Sequence, residues 1–208
     1  ALRTLLERAR ALGFTGVLIG NLGHLPLVRG LNFHLYGDYG LNVFNSRSLA
    51  YLKDKELESA CVSFELRFAQ IRDLKKVLRA EAIVYGRLPL MITENCLVQN
   101  ETGCRLDRQG PCVPEDGPCR CGQPNVLVDR TGAAFPLLPA YGHRTEIQNS
   151  KPLYLADRPE HRRLGLAYAR LRFTTETAEE CVSVVQNYLD AAPAAGDFTR
   201  GLYERGVE

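Results

Sequence analysis

Short apolar runs alternate with amphipathic stretches through about the first 95 residues, and few folds accept that alternation. Leu2, Leu5, Leu6, Ala9 and Leu12 repeat at a helical period, and Gly13 closes the pattern as a C-cap does. Gly16 to Gly20 reads as a buried strand, and Phe33 to Tyr36 as a second that ends at Gly37-Asp38. Ser46 caps a helix carrying Leu49, Ala50, Leu52 and Leu57. Cys61 to Phe64 is a third strand. Phe68, Ile71, Leu74 and Val77 mark the next helix, and Ala82 to Tyr85 a fourth strand that ends at Gly86-Arg87. This order predicts a parallel sheet built from βα units.

A closed eight-stranded barrel needs about 250 residues. Four units in this length make half of one, so the expected fold class is α/β, a partial TIM-like (β/α) barrel. Ala1 is not a start methionine, and no N-cap precedes the first helix. The expectation is therefore a C-terminal half, with the N-terminal half of a parent protein missing. Barrel chemistry sits at the C-terminal ends of strands. Those ends carry Asn21, Asp38, Asn42, Asn45, Glu65, Tyr85 and Arg87. Asn21 and Ser46 read as caps and turn residues. Asn42, Asn45, Glu65 and Arg87 are the catalytic candidates.

Five of the seven cysteines fall in one Gly/Pro-rich stretch: Cys96, Cys104, Cys112, Cys119 and Cys121. Such a loop needs a metal or disulfides to order it. The spacing C-x7-C-x7-C-x6-C-x-C matches neither a zinc finger nor a ferredoxin run. Nothing resembles a signal peptide, and no apolar run approaches ~18 residues. An odd cysteine count in a chain that reads as a cytoplasmic enzyme favours a metal over bridges. Cys61 and Cys181 lie on apolar faces and read as core.

The expected organisation is barrel units over 1–92, a Cys-rich metal loop over 93–125, and a small α+β tail over 126–208. In the tail, Val126–Val128 and Phe135–Leu138 flank the turn Asp129-Arg-Thr-Gly132 as in a hairpin. Pro152–Leu155 follows, and Leu164–Phe173 reads as a strand. Thr175 caps a last helix whose inner face is Ala178, Cys181, Val182, Val185 and Leu189.

A net charge of +2 gives no bulk case for nucleic acid, though Arg87, Arg105, Arg120, Arg130 and Arg144 lie in or beside the cysteine region. Neither HExxH nor G-x-S-x-G occurs, and no Cys–His pair is specified by spacing.

Several stretches together resemble the peptidase U32 family of collagenase-like proteases, in its C-terminal part. They are Gly37-Asp-Tyr-Gly-Leu-Asn-Val-Phe-Asn-Ser46, Val62-Ser-Phe-Glu-Leu66, Glu81-Ala-Ile-Val-Tyr-Gly-Arg-Leu-Pro-Leu-Met91, Leu127-Val-Asp-Arg-Thr-Gly132 with Phe135-Pro136, Thr145-Glu-Ile-Gln-Asn-Ser150 and Thr199-Arg-Gly-Leu-Tyr-Glu-Arg-Gly-Val207. The resemblance implies a TIM-barrel-like protein. It also implies oxygen-independent hydroxylation of an RNA base (tRNA or rRNA) or of the ubiquinone ring, linked to prephenate and a four-cysteine 4Fe-4S cluster. The His-Gly-Ala and Asn-Arg-Gly motifs that usually precede the cluster cysteines are absent. The cysteines here follow Tyr85-Gly-Arg-Leu-Pro-Leu-Met91, as in a longer, Cys-rich branch of that family. By this likeness Cys96, Cys104 and Cys121 match best, His143 stands where a last ligand falls, and Cys119 is its rival. Zinc is the alternative metal. A U32-type peptidase, and a metal-stapled scaffold or RNA-docking portion, are the alternative functions.

Overall fold

The computed structural model describes residues 2–102 and 123–206. Helix α1 (Leu2–Ala11) leads into β1 (Gly16–Ile19), and a short helix α2 (Leu25–Val28) into β2 (His34–Gly37). Then come α3 (Ser46–Asp54), β3 (Leu57–Cys61), α4 (Phe68–Asp73) and β4 (Arg79–Gly86). Next are β5 (Pro89–Thr93), α5 (Leu97–Thr102), β6 (Asn125–Val128), β7 (Ala134–Ala140) and β8 (Arg144–Gln148). The chain ends with β9 (Leu153–Tyr154), β10 (Tyr168–Leu171) and α6 (Ala178–Asp190).

The predicted parallel sheet is present. Its order is β1-β2-β3-β4-β10, with every neighbouring pair parallel, and β9 runs antiparallel against the end of β4. It is open: among the described residues β1 pairs only with β2, and β10 only with β4, so no closed barrel forms. The sheet is nevertheless strongly curled. Arg170 of β10 donates from Nη1 to Asp38 Oδ1, just past β2, at 2.5 Å. In a flat sheet three strand spacings would separate these chains by roughly 14 Å. The two side chains cannot span that distance, so the strands bend around them.

Apolar alternation sets the core. Leu49 and Leu52 of α3, Leu57, Ala60 and Cys61 of β3, and Ala80, Ala82, Ile83 and Val84 of β4 form one buried cluster. Tyr203 joins it from the end of the chain, and its hydroxyl donates to the Ile83 carbonyl at 2.5 Å. Tyr188 of α6 donates to the Val84 carbonyl at 2.5 Å and accepts from the Leu155 amide at 2.8 Å. Helix α6 is thereby fixed across the upper part of β4.

Several local expectations are corrected. Asn45, not Ser46, caps α3: its Oδ1 accepts from the Arg47 and Ser48 amides at 3.0 Å, while Ser46 Oγ accepts from Lys75. Leu57 belongs to β3 rather than α3, because the chain turns at Glu56 with φ +65°. Phe64 lies beyond that strand, and α4 stops at Asp73, short of Leu74 and Val77. Thr177 rather than Thr175 caps α6, in a capping box with Glu180. The inner face of α6 is Val184 with Tyr188, whereas Val182, Val185 and Leu189 are exposed.

A second, antiparallel sheet of order β5-β8-β7-β6 rises from the end of β4. Its strands β5 and β8, and helix α5, occupy ground that periodicity leaves blank. No helix of the described residues is long and apolar enough to cross a membrane.

Candidate active site

Two linked arginine clusters lie toward the C-terminal ends of β2, β3 and β10. In the first, Arg170 lies between Asp38 and Glu81. Glu81 is on β4 amid small apolar residues, and its pairing with Arg170 Nε crosses from β4 to β10. Asp38 also caps the 3-10 turn after β2, accepting from the Tyr39 amide at 2.8 Å. Burial holds the Glu81 carboxyl above its usual pKa despite the opposing pull of Arg170. Cys61 lies buried at the end of β3, and burial pushes its thiol up to about 12, against the pull of Arg170.

In the second cluster, Arg172 leaves the end of β10 and reaches the antiparallel sheet. It donates to Glu146 Oε1 at 2.8 Å, to Gln148 Oε1 at 2.7 Å and to the Arg87 carbonyl at 2.6 Å. Its guanidinium lies 5.8 Å from the centre of the Tyr39 ring, and that ring meets Phe64 at 5.8 Å. Burial and then the Glu146 charge raise the Tyr39 hydroxyl's pKa, against Arg172. Tyr39 therefore joins the two clusters: its backbone is held by Asp38 and its ring lies against Arg172. Two fixed cations, three carboxylates and a phenol thus gather beyond β2 and β3, with Glu81 contributed by the first half of β4 and Glu146 by β8. Such an array orients a polar substrate and holds or releases a proton at Glu81.

The candidates singled out from sequence take different places. Asn45 is the cap of α3, and Asn42 has a left-handed backbone (φ +53°) closing the turn after Asp38. Both have local structural duties. Glu65 is half-buried in the loop after β3, where its amide meets Ser63 Oγ at 3.3 Å. Arg87 braces the two sheets, donating from Nη1 to the carbonyls of Asn149, at 3.0 Å, and Ser150. Glu81, Arg170, Arg172, Glu146 and Gln148 escaped sequence reasoning. Their signal was a polar side chain repeated every second residue in a strand, Arg170/Arg172 and Glu146/Gln148, which puts both on one face.

Of the candidate metal ligands, Cys104, Cys112, Cys119 and Cys121 lie outside the described residues. Cys96 is buried just before α5, packed with Val98, Leu137 and Ile147. His143 lies in the turn between β7 and β8, with φ +61°. Because Thr93 pairs with Thr145, and Asn125 with Leu137, the exit of β5, the β7–β8 turn and the start of β6 share one end of the antiparallel sheet. Cys96 and His143 are therefore at the end where the chain leaves α5 and returns to β6. Among the described residues no group of three or more His, Cys, Asp or Glu side chains could hold a metal ion. Cys181 is half-buried on α6 rather than in the core.

No curated protein and no solved structure matches the chain. The family model described as Peptidase family U32 matches residues 1–127, which is more than half of the 208. The matched part contains Asp38 just past β2, Cys61 at the end of β3 and Glu81 on β4. On this match, the chain belongs to Peptidase family U32.

Proposed function

We propose that the curled sheet is half of a TIM-like barrel in an enzyme that hydroxylates an RNA base without dioxygen. Prephenate serves as co-substrate, and an iron–sulfur cluster is bound by the cysteine-rich segment. The observation that carries an enzymatic reading is the half-buried Asp38–Arg170–Glu81 cluster. Charges withdrawn from water are costly to keep, and these gather level with the C-terminal ends of β2 and β3, the side on which a barrel does its chemistry. Cys96, Cys104, Cys121 and either His143 or Cys119 would hold the cluster, which supplies one-electron chemistry when bound. The thiol donor set fits it. The thiol of Cys96 and the ring of His143 start from one end of the antiparallel sheet, roughly 14 Å along β8 from Gln148.

Peptidase chemistry, which the family name carries, requires an activated nucleophile or metal-bound water. Burial pushes the Cys61 thiol up to about 12, which makes it a poor nucleophile. His161 spends Nδ1 on the Arg158 carbonyl at 2.5 Å. These positions favour the hydroxylase over a Cys–His hydrolase.

The test is anaerobic purification, with iron, sulfide and visible absorption measured. Nucleoside mass spectrometry would follow on RNA from cells carrying wild-type protein or Glu81→Gln. Iron with sulfide, and a nucleoside heavier by one oxygen that disappears in the variant, support the reading. One colourless zinc and peptide cleavage would replace it with the hydrolase. A metal-loaded protein without either activity would leave the scaffold.

A further inference from the structure

We propose that Glu146 reads the ring of the substrate. Its Oε2 accepts a hydrogen bond from an N–H on the edge of a flat nitrogen heterocycle, which packs against Ile92 and Leu138. The inference rests on the proposed base-modifying site and names the group that the base presents to it.

Glu146 meets Arg172 with one oxygen only. Its Oε1 accepts from Arg172 Nη2 at 2.8 Å and from Gln148 Nε2 at 2.6 Å. Among the described residues no donor meets Oε2, yet that oxygen is not sealed from solvent. The side chain as a whole is only 15% exposed, so the carboxylate is held in place with one acceptor atom left to use.

The sheet puts apolar side chains on either side of it. Glu146 pairs with Ile92 of β5 and with Leu138 of β7. Residues directly paired across antiparallel strands project from one face, with β-carbons about 4.5–5.5 Å apart. Ile92 is 55% exposed and Leu138 half-buried. Neither carries a polar atom to compete for a donor, and both offer apolar area to a ring.

The neighbouring guanidinium has spent Nη1 on Gln148 Oε1 and the Arg87 carbonyl, and Nη2 on Glu146 Oε1. The polar atom open between Ile92 and Leu138 is therefore a negatively charged acceptor. It repels a carboxylate or phosphate and takes a donor. A ring edged only with carbonyl oxygens and bare nitrogens would cover Oε2 without bonding it, at the cost of an unpaired buried acceptor. A ring or amino N–H meets it, as carboxylates meet the amino group of cytosine.

The experiment is an NMR titration of the chain labelled at isoleucine and leucine methyls. The probes are cytidine, uridine, adenosine and guanosine, and pyrimidin-2-one riboside, whose ring carries no N–H. At least one of the four should shift the Ile92 and Leu138 methyls and bind at least about tenfold more tightly than the pyrimidin-2-one. In Glu146→Gln the amide oxygen keeps the bonds from Arg172 and Gln148, which puts the NH2 group where Oε2 stood. An acceptor becomes a donor, so the pyrimidin-2-one should then bind at least as tightly as the nucleoside. Ile92→Ala changes an exposed side chain and should weaken all the probes by a similar factor without altering their order. Absence of shifts with every nucleoside would overturn the proposal. So would equal binding with and without the N–H, or one order of preference in wild type and Glu146→Gln, which would leave Glu146 only its pairing with Arg172. The titration needs no metal, prephenate or turnover, so its outcome and that of the hydroxylase test are independent.

Discussion

A β-carbon on Gly86 would stand 2.0 Å from the carbonyl oxygen of Arg172. Gly86 also has φ +117°, where side chains are strained regardless of space. The close approach lets the Arg172 amide reach the Tyr85 carbonyl at 2.9 Å while its guanidinium turns back to the Arg87 carbonyl. Gly86→Ala is expected to cost more than about 3 kcal/mol in urea unfolding. A cost under about 1 kcal/mol would mean that the two strands separate freely there.

Arg170 holds two carboxylates, and removing it leaves both half-buried and facing each other. Arg170→Ala should destabilise by about 3–5 kcal/mol. Adding Glu81→Gln to it should recover part of that loss. Equal stability of the single and double variants would show that Asp38 alone sets the cost.

Glu81 also makes a statement about pH. Its folded pKa is raised by burial, so its stabilising share is present below the ordinary carboxylate value and is lost as pH rises through the folded one. Glu81→Gln with Arg170 intact should therefore keep or raise the urea midpoint at neutral pH while abolishing turnover. A lower midpoint would mean that the ion pair outweighs desolvation.

His161 and Asp157 work in the opposite direction. Burial lowers the His161 pKa from 6.5, and Arg200, bonded to Asp157 at 2.6 and 2.7 Å, lowers the aspartate. Both contribute stability at neutral pH. The histidine share fades as pH falls below about 6.5, and the aspartate share fades later, below the ordinary carboxylate range. His161→Phe should flatten the first decline in thermal melts, and Asp157→Asn the second, at a cost of about 2 kcal/mol at neutral pH. A variant that melts with the wild-type pH dependence would remove that group from the account.

Anaerobically purified Cys96→Ser is expected to lose most of its metal, whereas Cys181→Ser on α6 should keep it. Metal analysis of the two side by side decides whether the buried thiol before α5 is a ligand. Equal loading would return Cys96 to the apolar cluster it packs in.

Much of the parallel sheet was legible because strands leave short apolar runs bounded by glycine and charge, as at Ala82–Tyr85, which is buried, and at Gly16–Ile19, which is a strand but largely exposed rather than buried as its run suggests. The third strand was displaced because Leu57 continues the apolar series of α3, and nothing local announces a positive φ at Glu56. The antiparallel sheet was half missed for another reason. Its strand β5 is exposed over much of its length, so burial stamps no pattern on Pro89–Thr93. The arginine clusters were illegible one residue at a time. Arg170 and Arg172 look like the polar alternates of a half-exposed strand until curl of the sheet turns that face inward.

The first cluster draws its acids and its cation from different parts of the chain. Asp38 and Glu81 fall within the portion that matches the family, 1–127, while Arg170 and Arg172 lie beyond it. The Asp38 and Glu81 carboxylates thus come from the matched portion, and the arginine that balances them from a later one. Substitution in the later portion can therefore change the charge around Asp38 and Glu81 while the two acids themselves stay fixed.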